Sequence, residues 1–273
     1  MRRFVDSQIR RFADSQIRCF AVSHFFKGDI VARKRVLITG AAGRIGVVLT
    51  DGLYERYQLR VLYNRTVLDQ KYDEEVMVGN ITDLEKMEEA VDGMDAVVHM
   101  AGNPSGGATF EETVEANIIG TYNIYEACKR KGVKRVIFAS TNHVTGMYEK
   151  KGPVYTTWEM PVRPDSYYGA SKAYGEALGR YYVDAYGLSV ICHRIGSFQP
   201  VSSVQNRGSD RILSSWLSYK DTVQLTWRSI EAPEKIDFAI YYGISGNTRA
   251  YWDIQNAREE IGYDPVDNAE DYV

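Results

Sequence analysis

The sequence has little of what marks several functional classes. Its three cysteines, Cys19, Cys128 and Cys192, stand far apart with no Cys-x-x-Cys spacing. That argues against a metal site or a disulfide framework and fits a reducing, cytoplasmic setting. No apolar run approaches the roughly 18 residues needed to cross a bilayer, so no membrane association is expected. Charge of one sign is also lacking: 33 Lys and Arg against 36 Asp and Glu leave a formal net charge of -3. Such a balance offers no basic surface to nucleic acid.

What remains is ordinary for a globular chain with a sizeable core. Of the 273 residues, 44% are hydrophobic and 25% charged, which predicts one large domain with at most a small appendage. The appendage is the N-terminus, where Arg3-Phe-Val-Asp-Ser-Gln-Ile-Arg10 is followed by Arg11-Phe-Ala-Asp-Ser-Gln-Ile-Arg18 and a degraded copy from Cys19 to Ser23. An eight-residue period matches no solenoid unit. A secretory signal would need a continuous apolar centre, and Asp6 and Asp14 count against an organelle presequence. Residues 1–33 read as a non-native or mis-assigned start, disordered if present; an amphipathic appendage is the alternative. N-terminal sequencing of the natural protein decides between them.

From residue 34 the pattern alternates. Arg35–Thr39 is a short β-branched run of the kind buried in parallel sheets. It runs into Gly40-Ala-Ala-Gly43-Arg44-Ile45-Gly46, and a helical segment, 47–57, follows. A glycine turn between strand and helix lets backbone approach a ligand and presents helix N-terminal amides to a diphosphate. Further strands are predicted at 59–63, 76–79, 96–100, 133–140 and 188–195, with helices at 84–91, 110–131 and 171–186. This alternation predicts an α/β fold: a Rossmann-like, doubly wound parallel sheet. A small C-terminal substrate-binding subdomain is expected over 196–273, after a mainly dinucleotide-binding part over 34–195. Ligands of such sheets sit beyond the carboxyl ends of the strands, where Asn80-Ile81 and Ala101-Gly102 lie. At the end of the second strand a carboxylate would grip ribose hydroxyls, whereas an Arg accommodates a 2′-phosphate. Here Asn64-Arg65 stands without a carboxylate. The cofactor expected is NAD or NADP with a lean to NADP, although Arg65 also fits a solvated loop. Asn117, within the 110–131 helix, reads either as solvated or as bonded to backbone or water.

Tyr168 and Lys172 are four residues apart and so share a helix face. A nearby ammonium favours a phenolate and lowers a phenol pKa of about 10. Two such residues on a solvated face are common, so the pair alone carries little.

Taken together, Thr39-Gly-Ala-Ala-Gly-Arg-Ile-Gly46, His99-Met-Ala-Gly102, Ala139-Ser-Thr-Asn-His143 and Tyr168-Gly-Ala-Ser-Lys172 resemble the extended short-chain dehydrogenase/reductases, in that family's order, over about residues 34–273. The resemblance implies that Tyr168 is the general base, that Lys172 holds the nicotinamide ribose and that Thr141 steadies the reacting oxygen. Sugar-nucleotide dehydratases of the family carry an acidic pair after this Thr; Asn142-His143 stands there instead. The stretch after Gly196 is short for a nucleotide-sugar epimerase, which implies a small substrate.

Within the family the chain is most similar to uronate dehydrogenases and archaeal-type glucose-6-phosphate dehydrogenases, on Phe138–Gly146, Arg163–Gly169, Arg194–Ser197, Arg211–Ser218, Tyr242–Arg249 and Gly262–Pro265. That resemblance implies oxidation of an anomeric carbon to a lactone. Thr141, Asn142 and His143 would contact sugar hydroxyls with Ser197 nearby, and Arg211 would pair with the substrate's anionic group. Each has a bland alternative: His143 as a structural histidine, Arg211 as a surface cation beside Asp210, Ser197 as a turn residue. An epimerase, or a cofactor-binding sensor without turnover, is the competing reading. Family members are often homo-oligomers, and the sequence shows no interface pattern.

Overall fold

The computed structural model describes residues 33–150, 152, 154–207 and 209–273; the expectation for the repetitive segment falls, but for Arg33, outside them. The elements run β1 (Arg35–Thr39), α1 (Arg44–Leu53), β2 (Gln58–Tyr63), β3 (Glu75–Val78), α2 (Leu84–Val91), β4 (Ala96–His99), α3 (Phe110–Thr113), a π-helical turn (Val114–Ile119) and α4 (Gly120–Lys131). There follow β5 (Arg135–Thr141), a 3-10 turn (Asn142–Tyr148), α5 (Tyr167–Tyr186), β6 (Ser189–Ile195), β7 (Ser197–Phe198), α6 (Val201–Arg207), α7 (Asp210–Ser215), β8 (Trp216–Leu217), α8 (Tyr219–Ile230), β9 (Phe238–Gly243), α9 (Gln255–Ile261) and a closing 3-10 turn (Ala269–Tyr272).

The main sheet has the order β3-β2-β1-β4-β5-β6-β9, and every pair in it is parallel. The chain therefore winds outward from β1 in both directions, and the switch lies between β1 and β4, where open α/β sheets hold ligands. Alternation along β1 shows both faces covered: Val36 and Ile38 pack with Leu49, Leu53 and Leu225 on one side. Leu37 packs with Met87, Tyr125 and Val190 on the other. The doubly wound α/β expectation holds.

Three local readings are corrected. The first helix starts at Arg44 rather than 47, because Gly43 is extended and serves as its N-cap. The helix of the Tyr–Lys pair starts at Tyr167 rather than 171: the Ser166 hydroxyl accepts the Gly169 N–H at 3.1 Å and caps it, a side-chain cap of the usual kind. The long helix over 110–131 is interrupted by the π-helical turn. The seventh strand, β9, was not anticipated. It lies beside β6, so the C-terminal stretch supplies a main-sheet strand as well as the β7–β8 pair. Cys128 and Cys192 are buried and free.

Candidate active site

A cleft of about 870 Å³ opens over the carboxyl ends of the strands. At one end stands the glycine turn. Gly40 has φ +67, and a Cβ there would lie 2.7 Å from the Ala101 backbone N, so only glycine lets β1 turn this close to β4. The N-terminus of α1 has no side-chain cap and no acid in its first turn, which leaves its amides available to an anion. Gly43, Arg44, Ile45, Gly46, Asn64, Arg65, Asn80, Ile81, Ala101 and Gly102 all line this part of the cleft. Asn64 and Arg65 are exposed at the end of β2, and no carboxylate pairs with Arg65 among the described residues. An uncapped helix N-terminus, small residues and a cleft of this volume fit a dinucleotide. Arg44 is held across the cleft, its Nη2 donating to Phe198 O at 2.8 Å and Gln199 Oε1 at 3.1 Å.

The Tyr–Lys pair lies farther along the same cleft with Thr141, Asn142 and His143. Tyr168 is half-buried, and Lys172 is 4% exposed. The Lys172 ammonium stands over the Phe138 ring at 5.0 Å, and no carboxylate pairs with it among the described residues. Burial therefore pushes its pKa down to about 8. Burial also raises the phenol of Tyr168, against an opposing hydrogen bond with Thr141. The expectation that Lys172 draws the phenol down is not met in this geometry: burial of Tyr168 raises it, and the Thr141 hydrogen bond is what opposes that rise.

The lowered lysine gives a testable stability window. The unfolded chain binds more protons at this side chain between about pH 8 and the ordinary 10.5, so stability rises with pH across that interval. A neutral residue of similar length removes the penalty. Lys172→Met is expected to stabilise the protein at pH 7 by on the order of 1–3 kcal/mol, a gain that vanishes near pH 11. Urea midpoints at the two pH values check it; equal gains at both would exclude a buried-charge penalty.

Asn117 settles the choice left open for it. It is fully buried in the π-helical turn; its Oδ1 accepts the Asn103 N–H at 2.7 Å, and its Nδ2 donates to Asn103 O at 3.1 Å and Ser171 Oγ at 2.9 Å. It ties the loop after β4 to the residue next to Lys172. Asn142 is buried, and its Nδ2 has no hydrogen-bond partner among the described residues.

Ser197, Arg211 and His143, expected at the substrate end, also reach the cleft, and each has a partner that spacing did not reveal. Ser197 shares a 2.7 Å hydrogen bond with Ser215, whose Oγ donates to Arg211 O at 2.7 Å. Arg211 is exposed and donates from Nε to Glu149 Oε2 at 2.9 Å. The alternative that pairs it with Asp210 fails, because Asp210 pairs with Arg249. His143 is bound through its side chain to Asp165. Sequence reasoning missed Glu149 and Asp165 as site residues. The only signal for Asp165 was its place just before the capped helix, which reads equally well as turn chemistry.

With that geometry in place, known proteins fix the lineage. The profile of the NAD dependent epimerase/dehydratase family matches residues 36–218. The chain belongs to this family. It is 40% identical over 238 residues to a uronate dehydrogenase of Pseudomonas syringae pv. tomato, covering 86% of this chain and 83% of that one. An NAD-dependent glucose-6-phosphate dehydrogenase of Haloferax volcanii is 37% identical over 254 residues, 87% of this chain and 95% of that one. Among solved structures, a mutant uronate dehydrogenase from Agrobacterium tumefaciens complexed with NAD superposes with a TM-score of 0.80 at 34% identity, covering 88% of each chain.

Proposed function

We propose that the protein is an NAD(P)-dependent oxidoreductase that oxidises carbon 1 of a small anionic aldose, a hexuronate or a hexose phosphate, to the lactone. The observation that carries this reading is one cleft lined by the glycine turn, by Tyr168, Lys172 and Thr141, and by Arg211. The names of the relatives, a uronate dehydrogenase and a glucose-6-phosphate dehydrogenase, support the same class of substrate.

In this reading Gly40, Gly43, Arg44, Ile45 and Gly46 hold the cofactor's diphosphate, and Asn64 and Arg65 face its adenosine ribose. Asn80, Ile81, Ala101 and Gly102 flank it, and Lys172 holds the nicotinamide ribose. A bound nicotinamide supplies the acceptor for the two electrons that leave carbon 1. Tyr168 takes the hydroxyl proton, as a base placed within hydrogen-bond reach does. Thr141 donates a hydrogen bond to the same oxygen, and Asn142, His143 and Ser197 contact the other hydroxyls. Without a carboxylate at the end of β2, Arg65 leans the preference towards NADP. Residues 34–195 serve mainly the dinucleotide and 196–273 mainly the sugar. No helix among the described residues is long and apolar enough to cross a membrane; a cytoplasmic enzyme that binds no nucleic acid, and assembles as a homo-oligomer, completes the proposal.

The test is a screen of hexuronates and hexose phosphates with NAD and NADP, following absorbance of the reduced cofactor. Turnover of a nucleotide sugar and of none of these would overturn the assignment. Arg211 gives a sharper check. Its Nε is held by Glu149, which leaves the Nη groups for the planar, bidentate grip that carboxylate and phosphate favour. Arg211→Leu should raise KM for the anionic sugar about 10- to 100-fold, as loss of charge-assisted bonds does, while kcat changes little. An unchanged KM would remove Arg211 from the substrate site. The epimerase reading has no observation of its own, because solved UDP-sugar epimerases are 19–21% identical and share the fold alone.

A further inference from the structure

The reaction above gives His143, on the lining of the cleft, a sugar hydroxyl to contact, and it leaves the carboxylate bonded to that ring without a task. His143 follows β5 in the 3-10 turn, and Asp165 precedes α5 by two residues. Nδ1 of His143 lies 2.9 Å from each carboxylate oxygen of Asp165. The carboxylate is held in turn: the Ser166 hydroxyl donates to Oδ1 at 2.9 Å, and the Asp165 N–H donates to His143 O at 3.3 Å. Gly146 makes room for it, since a Cβ there would collide with Asp165 Oδ2. The His143 ring meets Tyr168 edge-on, with centroids 5.7 Å apart, and its Cε1–Nε2 edge faces Gly106. Nε2 has no hydrogen-bond partner among the described residues.

A carboxylate accepts hydrogen bonds and donates none. Nδ1 must therefore carry the proton, and in a neutral ring Nε2 is left as a bare acceptor. We propose that Asp165 is a positioning residue: it locks His143 in the Nδ1–H tautomer, so that Nε2 selects a sugar by accepting a hydrogen bond from one of its hydroxyls, beside the hydroxyl that reacts. A site built to bind a hydroxyl discriminates strongly against an analogue that lacks it, because its buried polar group is left unpaired. This inference rests on the sugar-oxidising reading above and adds the residue that fixes which way the histidine reads its substrate.

Nitrogen-15 spectra of the full chain, labelled at histidine, test it directly. There are four histidines, and the His143 signals are those lost in His143→Gln. At alkaline pH the wild type should show His143 protonated at Nδ1 and bare at Nε2. Asp165→Asn can offer an amide N–H to Nδ1 and so move the proton to Nε2, the wrong-tautomer effect known for histidine–aspartate pairs. That variant should raise KM for the sugar by at least about tenfold, with a smaller change in kcat and an unchanged Kd for the cofactor. Among monodeoxy sugars, one should lose about tenfold in KM with the wild type and nothing further with His143→Phe.

A wild-type ring protonated at Nε2, or at both nitrogens, overturns the proposal. So does an Asp165→Asn enzyme with a KM within about twofold of wild type. The wild-type spectrum and the deoxy series stand even if Asp165→Asn fails to fold. If no sugar is turned over at all, the functional reading falls by itself, and the spectrum still shows whether Asp165 sets the tautomer.

Discussion

Tyr168→Phe is expected to lower kcat by about 10²- to 10⁴-fold, the usual contribution of a positioned acid–base group, and to leave the cofactor Kd unchanged. The substitution removes one oxygen and keeps the ring, so its packing against His143 survives. A change confined to turnover is the mark of an interaction made in the transition state. The pH dependence sharpens the expectation. Burial holds the Tyr168 phenol above its ordinary value, and a base acts when it is free of its proton. kcat/KM of the wild type should therefore rise towards alkaline pH, and the residual activity of Tyr168→Phe should lose that slope. Stopped-flow or steady-state rates across the pH range, with cofactor binding followed by fluorescence, measure both. Full activity in the Phe variant would remove Tyr168 as the base.

Much of this site was legible because its parts are local. The glycine turn, the Thr141–His143 stretch and the Tyr168–Lys172 pair each lie within eight residues, and the strand before or the helix after each fixes how its residues are presented. What could not be read is what crosses between elements. His143 and Asp165 are 22 residues apart, and Arg211 and Glu149 are 62; no periodicity links them, and only the fold brings them together. The pKa of the pair was misjudged for a related reason. Spacing says that an ammonium stands near a phenol, but the cost of burying both is set by distant residues such as Phe138. The fold class followed from strand–helix alternation. The unforeseen edge strand did not: Phe238-Ala-Ile-Tyr-Tyr-Gly243 is apolar and aromatic as strands are, but it follows a stretch of short helices, and its partner β6 lies more than forty residues earlier.

The largest stability effect is expected at a pair that sequence reasoning did not single out. Arg194 on β6 and Glu176 on α5 are 1% and 4% exposed. They meet through two parallel bonds, Nε to Oε1 at 3.0 Å and Nη2 to Oε2 at 2.9 Å. Glu176 Oε1 also accepts the Ser140 hydroxyl at 2.5 Å. Arg194 Nη1 reaches Trp158 O and the Tyr242 hydroxyl, each at 3.3 Å, and Tyr242 shares a 2.8 Å bond with Thr145. Removing one partner strands the other charge in the interior. Arg194→Met should accordingly destabilise the protein by about 3–5 kcal/mol, whereas replacing both ions with apolar residues of similar volume recovers most of that loss. Chemical denaturation of Arg194→Met, Glu176→Leu and the double variant measures the cycle. Additive losses would mean that the two side chains act independently. The network also has a functional side, because Glu176 stands one turn beyond Lys172 on α5 and Ser140 precedes Thr141 on β5. It ties the helix of the base to the strand of its partner hydroxyl. The double variant, though refolded in stability, should therefore turn over more slowly than wild type. A stable double variant with full kcat would show that packing alone holds Tyr168 and Thr141 in register.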